Sequence, residues 1–177
     1  PLVIHCRCNA GYISPESWVH HPQQGGGRIV GEVCHFVDLA LFICGSPPVS
    51  VYACMLKGNL DTRDTLNISL ACQNGSIAVI SYFANGSPAM SKERLEVFAA
   101  GTGAVIEDFK VLTVYTNRKK VTRRFTQDKG HRKEIETFLL SVKENSPSPI
   151  PFREVYVTTR VGFDIVKSIE ENRNITY

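Results

Sequence analysis

At 177 residues, 43% hydrophobic and 21% charged, the chain has the balance of an ordinary soluble globular domain, long enough for one substantial core. No apolar run approaches the length of a membrane span, and no basic-then-apolar leader of the secretory type is visible, so no membrane partner and a cytoplasmic location are expected. A net charge of +3 is too modest to argue for nucleic acid.

Residues 2–8 alternate as a strand does and run on into Asn9-Ala10-Gly11-Tyr12. A loop with Pro15, Trp18, His20, His21, Pro22 and Gly25-Gly26-Gly27 leads to a helix over about 31–44. That helix stops at Gly45 before Pro47-Pro48. Strand texture follows at 49–56, then at 65–72 and 76–83 around Asn74-Gly75, a strong hairpin signal. Residues 94–99 and 104–107 flank the turn Gly101-Thr102-Gly103, and 111–115 and 120–125 form a further hairpin across Asn117-Arg118. Helical periodicity returns at 133–143, breaks at Asn145-Ser146-Pro147-Ser148-Pro149, and resumes from 152 to 172. Strands gathered between helices predict a single α+β domain over 1–177, with an open, largely antiparallel mixed sheet and helices on one face.

The chemistry concentrates where the glycine-rich loop meets the first helix. Glu32, His35 and Asp38 stand at spacings of three, on or near one stripe of that helix, while Val33, Phe36, Val37, Ala40, Leu41 and Cys44 make its apolar face. Polar groups bordering a buried helix must find partners or a ligand. Imidazole titrates near neutrality, so His35 is the candidate proton-transfer group, against the alternative of a hydrogen-bonded rim residue.

The remaining motifs are weaker. Six cysteines sit in strand-like or apolar settings without a Cys-x-x-Cys, and are expected to be buried free thiols of a reducing compartment. His20-His21 with Cys6 and Cys8 matches no zinc spacing, and no metal is expected. The basic stretch Arg118-Lys119-Lys120 through Arg123-Arg124, followed by Lys129, Arg132 and Lys133, is expected to be a solvated strand edge. A phosphate-bearing ligand is the alternative, and nucleic-acid binding through 118–133 a more distant one. A dinucleotide site needs strand, Gly-x-Gly-x-x-Gly and helix in that order. Gly101-Thr102-Gly103 lacks the third glycine and leads into a strand, and Gly25-Gly26-Gly27 follows a loop, so no dinucleotide fold is expected here. The opening at Pro1, without an initiator Met, suggests a piece of a longer protein.

Taken together, Arg7-Cys8-Asn9-Ala10-Gly11-Tyr12, Trp18-Val19-His20-x-Pro22, and Gly25-Gly26-Gly27-Arg28 through Cys34-His35-Phe36-x-Asp38-Leu39 carry a specific pattern. It continues through Ser91-Lys92-Glu93-Arg94-Leu95-Glu96-Val97-Phe98, Glu107-Asp108-Phe109, Lys129-Gly130-His131 and Pro149-Ile150-Pro151-Phe152. Over nearly its whole length the chain resembles the C-terminal domain of the glucose–fructose oxidoreductase, inositol dehydrogenase and MocA-like family. The resemblance implies a dihydrodipicolinate-reductase-like C-terminal fold and a two-domain oxidoreductase whose Rossmann domain, absent here, binds NAD or NADP. No cofactor is expected on this chain alone, which would be inactive by itself. The resemblance further implies a sugar, polyol or nucleotide-sugar substrate and a homodimer or homotetramer formed through the sheet face. On this reading His35 transfers the proton with Glu32 beside it, while Asn9, Tyr12, Trp18, Arg28 and Asp38 bind substrate. One departure stands out. Many members place an Asp four residues before the His, where this chain has Gly31, so either Glu32 supplies the carboxylate or the dyad is not used. The alternative function is a non-catalytic sugar or nucleotide-sugar binding or assembly module.

Overall fold

A computed structural model describes residues 1–58 and 62–177. Among these residues nine strands form one open sheet: β1 (Val3–Asn9), β2 (Pro48–Met55), β3 (Leu66–Cys72), β4 (Ile77–Phe83), β5 (Glu93–Ala99), β6 (Thr102–Glu107), β7 (Val111–Thr116), β8 (Lys119–Arg124) and β9 (Ile175–Thr176). Their spatial order is β8-β7-β6-β5-β1-β4-β3-β2-β9. Among the described residues only the β1–β4 pair is parallel, with Cys8 opposite Tyr82; every other pair is antiparallel. The expected α+β class and mixed, largely antiparallel sheet are borne out. The short closing strand β9 had no signal, since two residues are too few to show a period.

Alternation decides which face each side chain takes. Ile4, Cys6 and Cys8 of β1, Leu66, Ile68, Leu70 and Cys72 of β3, and Ala78, Ile80 and Tyr82 of β4 point to one face and are buried. Helices α1 (Cys34–Cys44) and α3 (Phe152–Glu171) cover that face. Val37, Ala40 and Cys44 of α1, with Val33 just before it, meet Val161 and Ile165 of α3 and the sheet beneath. Each such fully buried Val, Leu or Ile contributes roughly 1.5–3 kcal/mol. α1 ends where Gly45 takes a φ of +59° and its amide returns to Leu41 and Phe42 carbonyls at 2.9 and 3.2 Å. The Asn74-Gly75 hairpin then closes onto that end: Asn74 donates its side-chain amide to the Cys44 carbonyl at 3.0 Å.

The other face of the sheet carries ion pairs of Arg94 with Glu96 and Glu107, and His5 Nδ1 lies 3.4 Å from Glu96. Val3, Ile77, Phe98 and Tyr115 surround a shallow hollow at one end of it. Helix α2 (His131–Lys143) stands apart, with Ile135, Phe138, Leu139 and Val142 all more than half exposed. The basic run is the outer strand β8, and its charges lie exposed along the sheet edge as expected. Among the cysteines, Cys6, Cys8, Cys44 and Cys72 are buried, but Cys54 is exposed. With Val51 and Ala53 turned inward, the period of two turns Cys54 outward.

Beyond β9, which pairs only Ser50 and Val51, the edge of β2 needs another partner. Buried Ser168 of α3 supplies it: its Oγ accepts the Ala53 amide at 3.0 Å and donates to the Arg173 carbonyl at 2.7 Å. Ser168→Ala leaves both backbone groups without that hydroxyl and is expected to cost about 1–3 kcal/mol in urea unfolding, with no change in secondary structure by circular dichroism.

Candidate functional site

The end of β1, the glycine-rich loop and the start of α1 meet around one buried cation. Arg28 is 2% exposed. Its Nη1 donates to the Gly11 carbonyl at 2.7 Å and its Nη2 reaches the Ala10 carbonyl at 3.5 Å. Its Nε and Nη2 donate to the two oxygens of Glu32 at 2.8 and 3.1 Å, a fork geometry that suits guanidinium and carboxylate. Asp64, also buried, stands 3.8 Å from Nη1. Tyr82 closes the cluster: its hydroxyl donates to Glu32 Oε2 at 2.6 Å, and the guanidinium lies 5.2 Å from its ring centroid. Burial alone would raise the Glu32 carboxyl, but the hydrogen bonds from Arg28 and Tyr82 outweigh it and hold the group below its ordinary value. The Tyr82 hydroxyl is pushed well up, first by burial and then by its bond to Glu32, so it stays a donor.

The glycine triplet is fastened to the preceding turn, Trp18–His20. Gly25 and Gly26 amides donate to the His21 carbonyl at 3.0 and 3.1 Å, and the Gly27 amide to Val19 at 3.0 Å. A Cβ on Gly25 would fall 2.3 Å from the Val19 carbonyl oxygen, so only glycine permits this approach. Tyr12 and Trp18 project from the two fastened segments, 67% and 65% exposed. After the loop comes a π-helical turn, Ile29–Val33, which α1 continues. The first helix thus begins with an underwound i→i+5 turn rather than with regular helix, a feature frequent at functional sites. Gly31 within it faces open space, its nearest neighbour being the Gly25 carbonyl oxygen, 3.8 Å from where a Cβ would stand. His35 follows one turn later and is exposed.

The stripe expected of Glu32, His35 and Asp38 is not kept. Six residues along a helix leave a rotation of about 120°, and the π turn adds to the drift. Glu32 therefore points to Tyr82 on the sheet, whereas Asp38 accepts a hydrogen bond from Thr158 of α3 at 3.1 Å. The His35 ring makes no hydrogen bond or ion pair among the described residues. Arg28 and Glu32 are brought together, but as each other's partners. Asn9 is buried under the 84–90 loop, its amide donating to Ser87 and Met90 carbonyls at 2.7 and 3.4 Å. Lys92, which a sequence motif contained without placing, is exposed at this end of the sheet. Its carbonyl accepts the Asn9 amide at 2.7 Å, and its charge helps hold Glu32 ionised. His131 lies apart, at the first turn of α2. Sequence reasoning missed Tyr82 and Asp64. The inward alternation of 76–83 placed a phenol in the core, where its hydroxyl needs a partner, and that was a usable signal; Asp64 offered none.

A carboxyl held below its unfolded value of 4.5 stabilises the fold above that pH and loses the contribution as pH falls through the folded value. Glu32→Gln is therefore expected to lower the melting temperature at pH 7 and to flatten its decline as the pH falls below 4.5, read by thermal melts across the acid range.

A family model described as the GFO/IDH/MocA C-terminal domain matches residues 1–107. No match is found among curated proteins. Among solved structures, the aldose-aldose oxidoreductase from Caulobacter crescentus complexed with glycerol superposes with a TM-score of 0.81 at 15% identity, covering 99% of this chain and 55% of that one. UDP-N-acetylglucosamine 3-dehydrogenase GnnA from Acidithiobacillus ferrooxidans gives 0.79 at 17% identity, covering 96% and 53%. An oxidoreductase domain protein from Kribbella flavida gives 0.80 at 16%, covering 98% and 57%. At such identities the likeness is one of fold, and the chain spans about half the length of these structures. The mixed sheet, the glycine-loop helix and the family match agree: this chain belongs to the GFO/IDH/MocA C-terminal domain family.

Proposed function

We propose that this chain is the substrate-binding half of an NAD(P)-dependent oxidoreductase acting on a sugar, polyol or nucleotide sugar, and that His35 is its proton-transfer residue. The observation that supports this most is the setting of His35. It is an exposed imidazole without a protein partner among the described residues, beside a glycine loop from whose neighbourhood Tyr12 and Trp18 present open aromatic faces. Two similar structures bear names that include an aldose and a nucleotide sugar, which supports the substrate class.

The residues present do not fit a dinucleotide. All three amides of the glycine triplet donate to carbonyls of the preceding turn, so they are not free to cradle a pyrophosphate. Gly101 and Gly103 belong to the β5–β6 hairpin. In this reading NAD or NADP sits on a further domain, and the exposed apolar stripe of α2 suits burial against it. When an alcohol carbon is oxidised, its hydroxyl proton must leave, and His35 accepts it; in reduction His35 returns it. Tyr12 and Trp18 stack on a sugar ring. Asn9, Arg28 and Glu32 shape the floor, Glu32 as the partner of Arg28 and Tyr82, whereas Asp38 ties α1 to Thr158 of α3. The open sheet face, with Val3, Ile77, Phe98 and Tyr115, takes a second copy of the chain in a homodimer or homotetramer. The setting is cytoplasmic, where the buried thiols stay reduced.

Thermal melts with UDP-N-acetylglucosamine, glucose, myo-inositol, NADH and NADPH test the division of labour. Stabilisation by a sugar-type ligand and not by either dinucleotide is expected; stabilisation by a dinucleotide alone overturns it. In the complete enzyme, His35→Ala is expected to lower kcat by about 10²–10⁴-fold while the fold is kept; normal turnover by that variant removes His35 as the proton-transfer residue, whereas a complete protein that binds these sugars and turns over none of them is the non-catalytic module. For the assembly, Phe98→Glu is expected to reduce the sedimenting mass to that of a monomer.

A further inference from the structure

Resting on the reading of His35 as the proton-transfer group, we propose that Tyr82 is a positioning residue for it: one buried ring on the sheet grips the helical ridge on both sides of the imidazole. The ridge is formed by residues 28, 32 and 36, each one turn from the next. Tyr82 touches all three. Its ring lies 5.2 Å from the Arg28 guanidinium carbon, its hydroxyl donates to Glu32 at 2.6 Å, and its centroid is 6.2 Å from that of Phe36, tilted by 57°. His35 is therefore bracketed by a residue three positions earlier and one position later, both held by the same side chain.

The bracket matters because nothing closer holds the imidazole among the described residues. Gly31, one turn earlier, has no side chain to orient it, and the Glu32 carboxylate is engaged at both oxygens by Arg28 and Tyr82. Where His35 stands is then set by the backbone of residues 28–36. That backbone opens with a π turn, whose wider hydrogen bonding is less favourable than regular helix and needs an outside anchor. Tyr82 is well placed to be that anchor. It is fully buried in β4, whose parallel pairing with β1 sets it beside Cys8, at the end of the sheet where Asn9, Gly11 and Tyr12 emerge. The same clamp reaches the substrate side through Arg28, which holds the Gly11 carbonyl at 2.7 Å. A single phenol thus ties the strand end, the turn after the glycine loop and the helix that carries His35.

Tyr82→Phe keeps the ring and removes only the bond to Glu32; Glu32→Gln keeps the shape and removes the charge. Amide hydrogen exchange of the protein is read by mass spectrometry alongside turnover of the complete enzyme with UDP-N-acetylglucosamine or myo-inositol, whichever stabilises it. In Tyr82→Phe, exchange in peptides spanning residues 28–36 is expected to speed up by about tenfold or more while α3 and the central strands stay protected. In turnover, kcat falls by about tenfold at unchanged KM, because the imidazole is misplaced while the binding surface persists. Unchanged exchange over 28–36, or a uniform rise across the whole chain, overturns the proposal, since Tyr82 is then either idle or merely part of the core. Wild-type kcat in Tyr82→Phe also overturns it. Full turnover by His35→Ala instead overturns the catalytic reading, and the exchange pattern still decides whether Tyr82 holds the turn.

Discussion

A guanidinium with 2% exposure cannot be left unpaired, and much of the functional end of this domain is organised around that fact. Arg28 draws in the carbonyls that follow β1, the carboxylate of Glu32 from its own helical turn, Asp64 from the segment before β3, and the face of Tyr82 from β4. Four separate stretches of chain are thereby held at one point. Removing Glu32 leaves the Arg28 charge buried without its fork partner, a loss held below the roughly 3–5 kcal/mol of a fully buried pair because Glu32 is 36% exposed. The cluster contains one cation and two carboxylates, with Lys92 acting on Glu32 from the exposed side, so the charges nearly balance.

The sheet supplies the frame on which that cluster is hung. β1 lies near the centre, parallel to β4 and antiparallel to β5, so both neighbours confine the strand end that leads to Asn9 and Tyr12. α1 and α3 cover β1 to β4, and their contact is sealed by Val37, Val161 and Ile165. The result is a packed floor with its exposed groups at one end: the aromatics Tyr12 and Trp18, the bare turn at Gly31, and His35. Exposed side chains at the end of a packed scaffold are the arrangement on which the proposed role of His35 draws.

Two surfaces do not take part in this core. The ion-paired face of the sheet and the apolar stripe of α2 both remain open. Ile135, Phe138, Leu139 and Val142 follow helical spacing as cleanly as the buried positions of α1, so their periodicity belongs to a helix with one apolar side, whatever that side meets. Periodicity reports which residues share a side; it does not report whether that side is covered within the chain.

Local rules were enough for most elements and for the class of fold. The alternation of 2–8, 65–72 and 76–83, the Asn74-Gly75 turn and the stop at Gly45 each rest on interactions within a few residues, and each is found where expected. The resemblance of the motifs around Gly25 and His35 likewise pointed to the family and to the end of the sheet where the candidate site lies. Tertiary structure decided what those residues do there. Arg28 and Glu32 read as ligand-facing groups in sequence, yet the burial of Arg28 and the hydroxyl of Tyr82 make Glu32 a partner of both, across 50 residues of chain between Glu32 and Tyr82. The π turn and a six-residue drift of about 120° separate Glu32 from Asp38, and no residue pattern announces such a turn. Spacing along the chain fixes neighbours one turn apart, whereas pairing across the sheet, which brings Tyr82 beneath residues 28, 32 and 36, exists only once the chain has folded.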